Sequence, residues 1–188
     1  MPTNKLNKKI KVNVIGLGYV GLTSCCIIAE AGFTVFGIEN NKKIKSLLSQ
    51  KKPTFYEPGL EKYLKKYVNN NFFISNKLNK ANIHIITVGT PINNNKRPIL
   101  NSIKDSTNLI SKVLSFGDLV IIRSTVPVGT TRNTILKDLE KKTGLKCGLG
   151  FYLVFAPERT AEGVALKELS INPQIIGSFD KKSYSLAA

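Results

Sequence analysis

A glycine-rich segment near the amino terminus has the residue spacing needed to hold a phosphate group. Residues 16–21 read GLGYVG, a G-x-G-x-x-G pattern between an apolar run and a helical one. In this pattern Gly16 permits a tight turn, Gly18 lets the backbone approach a pyrophosphate, and Gly21 lets the helix pack close to the sheet. The unpaired N–H groups that begin the helix then favour an anion. The segment predicts a dinucleotide site; the alternative is a glycine-rich turn without a ligand.

An acidic residue follows the glycine-rich segment at the distance that dinucleotide-binding folds use. Glu39 ends the second predicted strand, 18 residues after Gly21. In that place a carboxylate accepts a hydrogen bond from the 2′-hydroxyl of a ribose. The same carboxylate repels a 2′-phosphate, so the sequence predicts NAD as the cofactor in preference to NADP. Lys42 and Lys43 follow closely and could weaken this discrimination.

Two further predicted strands end in turns that carry hydroxyl groups. Residues 88–91 read VGTP after the fourth strand, and residues 123–130 read RSTVPVGT after the fifth. Both turns fall at the carboxyl end of a strand, where ligands of open α/β sheets bind. Each turn could instead simply cap the helix that follows it.

A pair of carboxylates, Glu158 and Glu162, follows the sixth predicted strand within the segment APERTAEG at 156–163. If a helix begins near Thr160, its N-terminus faces the same crevice. A carboxylate there could act as a general base toward water or organise a polar site. The alternative is a structural ion pair between Glu158 and Arg159 or a nearby lysine. The spacing leaves both interpretations open.

The remaining residues that could do chemistry favour structural roles. His84 lies inside the fourth predicted strand, and we expect it to pack near a sheet edge rather than to act as a base. Cys25 and Cys26 are adjacent in a predicted buried helix, where free cysteines behave as small hydrophobes. Cys147 lies in a polar segment in which neither a base nor a basic pocket can be inferred. The cysteines have no metal-ligand spacing, so no metal site is predicted.

Short apolar strands alternate with helices of 10–15 residues along the chain. The predicted strands are 10–16, 34–38, 72–75, 83–88, 118–124, 152–157 and a possible short one at 174–177. The predicted helices are 19–31, 41–50, 59–68, 102–115 and one near 130–142. This alternation is typical of βαβ units, whose right-handed crossovers cover both faces of a parallel sheet. The sequence therefore predicts an α/β, Rossmann-type doubly wound fold.

The 188 residues are enough for one domain with a core of its own. We expect a basic tail at 1–9, a Rossmann domain at 10–180 and the opening of a helix at 181–188. The net charge is +16, but the lysines are dispersed and no aromatic residues interleave with them, so a nucleic-acid partner is not expected. No apolar run reaches membrane-spanning length and no signal peptide is present, which predicts no membrane association and a cytoplasmic location.

The motifs, in this order, resemble the UDP-glucose/GDP-mannose dehydrogenase family. The similar stretches are VIGLGYVGL, FYEPGL at 55–60, VGTP, RSTVPVGTT at 123–131 and APERTAEG, and they span residues 10 to about 180. The resemblance implies an NAD-dependent, two-step oxidation of the C6 alcohol of a nucleotide sugar to a carboxylate, for polysaccharide biosynthesis. In that family a cysteine captures the aldehyde, a second hydride transfer gives a thioester, and water releases the uronic acid.

The resemblance also implies roles for individual residues. The implied cofactor contacts are Gly16, Gly18, Tyr19, Val20, Gly21, Glu39, Gly89, Thr90, Ser124 and Thr125. Thr125 matches the threonine that helps to position the water, and Glu158 matches the glutamate linked to acid–base work in thioester hydrolysis. Glu162 matches a second glutamate close to the nicotinamide and the substrate. The resemblance favours this role of Glu158 over the ion pair.

The chain departs from the family mainly in length. Family enzymes continue into a connecting helix and a second domain that holds the UDP-sugar, the nucleophilic cysteine, and a lysine and an asparagine that stabilise the oxyanion. Because those catalytic parts lie outside residues 1–188, we expect these residues to bind NAD without turnover. Family members also dimerise through those parts, so we expect residues 1–188 to expose apolar surface and to self-associate. The alternative is a standalone or remnant NAD-binding module without catalysis.

Two local features bear on the branch within the family. The Pro157-Glu158-Arg159 sequence resembles the branch that acts on UDP-N-acetylmannosamine or UDP-N-acetylglucosamine, because members acting on UDP-glucose commonly read Pro-Glu-Phe-Leu there. A lysine is often found five residues after the ribose-binding acid, where this chain has Ile44. Lys43 or Lys45 could substitute for it.

Overall fold

The first strand, β1 (Lys11–Ile15), lies at the centre of the sheet, and the other strands extend from it in both directions. The computed structural model describes residues 10–188, so the predicted basic tail at 1–9 lies outside the described residues. On one side, β1 pairs in parallel with β2 (Thr34–Ile38), and β2 pairs with β3 (Phe72–Ser75). This half of the sheet carries the glycine-rich segment and Glu39.

On the other side of β1, β4 (Ile83–Ile86), β5 (Leu119–Ile122) and β6 (Tyr152–Phe155) continue the parallel sheet. A two-residue strand, β7 (Gly177–Ser178), closes this edge in antiparallel pairing with β6. The parallel strands therefore lie in the order 3-2-1-4-5-6, with the chain reversing direction across the sheet between β1 and β4. This is the Rossmann order, and its ligand crevice lies at that reversal. The predicted fold class is confirmed.

Helices cover both faces of the sheet. Their bounds are α1 (Tyr19–Glu30), α2 (Lys42–Ser49), α3 (Leu60–Tyr67), α4 (Asn101–Ser111), α5 (Lys137–Thr143), α6 (Ala165–Ile171) and α7 (Lys181–Ala187). A π-helical segment, Thr131–Leu136, runs directly into α5.

The central strands β1, β4, β5 and β6 bury both of their faces, which explains why they are nearly continuous apolar runs. Within β1, Val12 and Val14 belong to one core cluster and Ile15 to the other. The first cluster packs α1 and α3 against the sheet through residues such as Leu22, Cys25, Cys26, Leu60 and Leu64. The second cluster does the same for α4, the π-helical segment and α5 through Ile103, Ile110, Ile135 and Leu139. The two cysteines of α1 are fully buried, as expected.

Three expectations about local structure are wrong or shifted. No helix begins near Thr160: residues 156–164 form a loop and α6 begins at Ala165. The last strand lies at Gly177–Ser178 rather than at 174–177. His84 is not near a sheet edge, because β4 lies between β1 and β5, and the imidazole is fully buried.

The buried imidazole of His84 contacts polar groups from two other elements. The Asn13 side-chain amide lies 3.2 Å from His84 Nδ1, and Asp118 Oδ2 lies 3.6 Å from His84 Nε2. The second distance is too long for a hydrogen bond. These residues lie near the amino-terminal ends of the strands, away from the crevice, so His84 has a structural role.

Exposed apolar side chains are frequent in the last part of the chain. They include Val164, Ile171, Ile175, Phe179, Tyr184 and Leu186. None of the helices in residues 10–188 has the length and apolarity that a transmembrane segment requires. The self-association expected from the sequence stays a prediction, and these side chains are the surface on which we expect it.

The glycine-rich segment owes its shape to two close contacts. A Cβ atom at Gly21 would lie 1.8 Å from the carbonyl oxygen of Gly16 and 2.6 Å from Thr87 Oγ1. The Thr87 hydroxyl lies within hydrogen-bonding distance of the carbonyl oxygens of Ile15 and Gly16, at 2.9 and 2.8 Å. Gly16 itself has a φ of +94°, which disfavours other residues. Helix α1 therefore packs directly on backbone, as the sequence predicts for Gly21.

We expect the Gly21→Ala variant to lose about 1–3 kcal/mol of unfolding free energy, because the new methyl group meets backbone that cannot yield. For a chain of this size that is a fall in Tm of about 2–4 °C per kcal/mol. The matched control is Gly18→Ala, since a Cβ atom at Gly18 meets nothing within 4 Å. Thermal unfolding without ligand checks this, and equal Tm values for the two variants would contradict the packing role of Gly21.

Candidate cofactor-binding site

The first turn of α1 opens onto the crevice with bare backbone. Gly18 is the N-cap residue and forms no side-chain cap. The first N–H groups of a helix have no partner within the helix, and their partial positive charge favours an anion. Because a Cβ atom at Gly18 would meet open space, the backbone there is accessible to a ligand. The segment therefore fits the pyrophosphate of a dinucleotide, with Tyr19 and Val20 as the first residues of the helix.

The Glu39 carboxylate lies against the glycine-rich segment. Its Oε2 accepts the Leu17 N–H at 3.0 Å, and its Oε1 accepts the Asn41 N–H at 2.8 Å. A carboxylate has about four acceptor positions, so two remain for ribose hydroxyl groups. No ion pair within residues 10–188 joins Glu39 to Lys42 or Lys43, both of which are exposed. The charge of Glu39 is thus not neutralised by the lysines that follow it.

A cavity of about 150 Å³ separates the glycine-rich segment from α4. Gly16 and Glu39 line one side, and Asp105 and Ser106 of α4 line the other. This cavity therefore holds two carboxylates, those of Glu39 and Asp105, and both disfavour an anionic group there. Asp105 was not predicted as a site residue, because it lies 66 residues beyond Glu39 in the sequence and nothing local to it indicates a ligand.

The two turns at the ends of β4 and β5 are joined by hydroxyl groups. Thr90 Oγ1 donates to the carbonyl oxygen of Thr125 at 2.6 Å, and Ser124 Oγ donates to the carbonyl oxygen of Val88 at 2.7 Å. Neither hydroxyl caps a helix, since α4 and the π-helical segment both lack a side-chain cap. The structure thus brings Gly89, Thr90, Ser124 and Thr125 together at the crevice, as predicted. The hydroxyls of Thr90 and Ser124 already serve to hold the turns together.

Glu158 forms an ion pair, but its partner is Arg123 at the end of β5 rather than Arg159 or a lysine. Its other oxygen accepts the N–H groups of Arg159 and Thr160, at 2.8 and 3.0 Å. Burial by itself would raise the pKa of Glu158, but Arg123 and the two N–H groups outweigh it, so the pKa lies below its ordinary value. These bonds curl residues 158–160 into a turn, which explains why no helix begins at Thr160.

Thr125 and Glu162 are exposed beside the crevice. Among residues 10–188, neither the Thr125 hydroxyl nor the Glu162 carboxylate forms a hydrogen bond. Glu162 lines an open cavity of about 400 Å³ together with Tyr19, Phe55, Tyr56 and Gly163. Both side chains are therefore available to a ligand.

A further carboxylate, Glu57, was missed by the sequence analysis. It belongs to the FYEPGL turn, which indicated the family without indicating a role for any of its residues. Glu57 is only 6% exposed and lies between the glycine-rich segment and the 156–163 loop. Burial and the hydrogen bond to Glu57 raise the pKa of Tyr19 to about 12.

The match to known proteins covers nearly all of the chain. The UDP-glucose/GDP-mannose dehydrogenase family, NAD binding domain, matches residues 10–188. The chain belongs to this family. The chain is therefore an NAD-binding domain, and NAD is its cofactor.

Relatives and solved structures agree with the assignment. The UDP-N-acetyl-D-mannosamine dehydrogenase of Pyrococcus horikoshii is 32% identical over 95% of this chain, and that of Campylobacter jejuni is 35% identical over 94%. The solved structure of the P. horikoshii enzyme superposes with a TM-score of 0.91. The GDP-mannose dehydrogenase of Pseudomonas aeruginosa, 28% identical over 94% of this chain, gives 0.86.

This chain spans less than half the length of these relatives, 43% and 46% of the two UDP-N-acetyl-D-mannosamine dehydrogenases and 42% of the P. aeruginosa structure. The predicted likeness to the N-acetylhexosamine branch is confirmed by the names of these relatives. Which sugar this chain serves belongs to the proposal below.

Glu158→Gln tests the ion pair with Arg123. We expect the variant to lose about 1.5–3 kcal/mol of unfolding free energy at pH 7, the range for hydrogen bonds to charged groups. Because the folded-state pKa of Glu158 is depressed, its contribution is present above the unfolded pKa of about 4.3 and disappears as the pH falls through the folded pKa. Urea unfolding at a series of pH values from 7 down to 3.5 measures the difference in unfolding free energy between wild type and variant.

The control is Glu162→Gln, whose carboxylate is exposed and unpaired among the described residues. We expect it to match the wild type at every pH. If the difference in unfolding free energy between wild type and Glu158→Gln stays constant as the pH falls below 4, the charge of Glu158 does not stabilise the fold.

Proposed function

We propose that this chain is the cofactor-binding part of a nucleotide-sugar 6-dehydrogenase, which oxidises a UDP-N-acetylhexosamine to its uronic acid for polysaccharide biosynthesis. The observation that carries the proposal is the cavity lined by Gly16 and Glu39, which follows the strand end that leads into the open turn at Gly18, in a chain whose family is a dehydrogenase family. UDP-N-acetylmannosamine is supported as the substrate by the names of the relatives, and UDP-N-acetylglucosamine is the second choice.

The cofactor supplies the hydride acceptor, and the chain holds it. The glycine-rich segment is suited to the pyrophosphate and Glu39 to the ribose hydroxyls. The turns at Gly89–Thr90 and Ser124–Thr125 form the adjoining wall of the crevice. We assign the pyrophosphate contacts to N–H groups of the first turn of α1, because anions bind there without any charged side chain.

The proposed catalytic residues are Thr125, Glu158 and Glu162. An ionised Glu158 accepts a hydrogen bond from water, and Arg123 favours that ionised form. The same pairing makes Glu158 a weaker base, so Arg123 must loosen its contact when Glu158 takes up a proton. The exposed Thr125 hydroxyl is suited to orienting the water. Glu162, beside the aromatic rings of Tyr19 and Tyr56, is suited to contact the nicotinamide or the sugar.

A standalone NAD-binding module is the alternative, and the environments of the cysteines favour it for residues 1–188 by themselves. Burial raises the pKa of Cys26 to about 12 and that of Cys25 well above its usual range. Burial also raises the pKa of Cys147 to about 11. A thiol nucleophile acts as the thiolate, which none of these residues provides near neutral pH. The cytoplasmic location and the homodimer of the parent enzyme stay predictions.

Thermal unfolding with NAD and with NADP tests the cofactor assignment. NAD at about 100 times its Kd adds roughly 2.7 kcal/mol, a shift of several degrees in Tm, and we expect no such shift with NADP. In Glu39→Gln the NAD shift shrinks and the difference between the two cofactors narrows, because the charge that repels the 2′-phosphate is gone. Equal shifts with NAD and NADP in the wild type would contradict the role of Glu39.

Formation of NADH separates binding from turnover. We expect the 188-residue chain to make no NADH from UDP-N-acetylmannosamine, UDP-N-acetylglucosamine or UDP-glucose at neutral pH, because the resemblance places the UDP-sugar-binding part of the family enzymes outside these residues. Absorbance at the NADH band measures this, with the cofactor at the concentration that gives the full thermal shift. NADH formed with any of these sugars would overturn this expectation.

A further inference from the structure

The buried Glu57 carboxylate connects three segments that are far apart in the sequence. Its Oε2 accepts the Tyr19 hydroxyl at 2.6 Å and the Gly163 N–H at 2.9 Å. Its Oε1 accepts the Leu166 N–H at 3.2 Å, in the first turn of α6. One side chain thus holds the start of α1, the end of the 156–163 loop and the start of α6.

These donors are the whole compensation for the charge of Glu57 among the described residues, since no lysine or arginine in 10–188 forms an ion pair with it. A buried carboxylate without donors is strongly unfavourable. If the loop moves away, the Gly163 N–H bond is lost and the charge is left under-compensated. The loop position and the Tyr19 position are therefore energetically linked through Glu57.

Tyr19 extends this link to the cofactor site. It is the first residue of α1, directly after the N-cap residue Gly18. Its hydroxyl oxygen also accepts the Gly163 N–H at 2.9 Å, and its ring lies 4.9 Å from that of Phe55, centroid to centroid. Gly163 directly follows Glu162. A continuous set of contacts thus runs from the anion-binding turn to the loop that carries Glu158 and Glu162.

We propose that Glu57 is a positioning residue that couples dinucleotide binding at the glycine-rich segment to the placement of the Glu158–Glu162 loop. A pyrophosphate on the first turn of α1 fixes Tyr19, Tyr19 fixes the Glu57 carboxylate, and the carboxylate fixes Gly163 and Leu166. Coupling of this kind is reciprocal, so ordering the loop strengthens cofactor binding by the same factor. The inference rests on the proposed NAD site.

Hydrogen exchange of the 188-residue chain, with and without saturating NAD, tests the coupling. In the wild type we expect NAD to slow exchange in residues 159–166 by about fivefold or more, the lower end of typical coupling factors. In Glu57→Gln, which keeps the side-chain shape and removes the charge and one acceptor, we expect that protection to disappear. By reciprocity, the Kd for NAD from calorimetry rises by the same factor.

A merely structural role of Glu57 gives a different result. If Glu57 only stabilises the fold, Glu57→Gln has a lower Tm but keeps the NAD-induced slowing of exchange in residues 159–166. That outcome would overturn the proposal. The matched control is Glu61→Gln on α3, whose exposed carboxylate pairs only with Lys65. We expect it to leave both the Kd and the loop protection at wild-type values.

Tyr19→Phe provides a second variant in case Glu57→Gln does not fold. It removes the hydroxyl that connects the two sites and retains the ring, and we expect it too to lose the NAD-induced protection of 159–166. Protection that persists in this variant would also overturn the coupling.

Wild-type chain that shows neither a thermal shift nor calorimetric binding with NAD would overturn the proposed function, and the coupling with it. NAD binding without any change in 159–166 overturns the coupling alone.

Discussion

Helix α1 approaches the end of β1 so closely that no side chain fits between them at Gly21. This contact is backbone against backbone, and the Thr87 hydroxyl bonds to the carbonyl groups of the same turn. The direction of α1 is therefore set by the turn itself rather than by adaptable side chains. The direction of α1 sets where the N–H groups of its first turn point and where Tyr19 lies. It also sets the position of the glycine-rich segment against which the Glu39 carboxylate lies.

The reversal of strand order between β1 and β4 provides the space that this helix end faces. The chain segments that follow β1 and β4 run in opposite directions across the sheet. The carboxyl ends of these central strands are therefore left uncovered. The turns after β4 and β5 close one wall of this space and hold each other through the hydroxyls of Thr90 and Ser124. The site is thus made mostly of backbone on rigid elements, with few side chains.

The carboxylates around the crevice have the same chemistry and different environments. Glu39 accepts two backbone N–H groups and keeps free acceptor positions. Glu158 is paired with an arginine, which lowers its pKa. Glu57 is buried with neutral donors alone, and Glu162 is exposed and unpaired within the described residues. The four carboxylates thus differ in environment, and these differences support the separate roles that we propose for them.

The sequence by itself determined the features that local chemistry encodes. Strand and helix positions follow from the period of apolar residues, and the role of Gly21 follows from the glycine spacing. The tertiary structure decided which distant groups meet. Glu158 pairs with Arg123, 35 residues earlier, because β5 and β6 are neighbours, and His84 is central because β4 lies beside β1. Glu57 finds donors 106 and 109 residues later, at Gly163 and Leu166. No local pattern records such partners, because strand order and helix packing, not distance along the chain, bring them together.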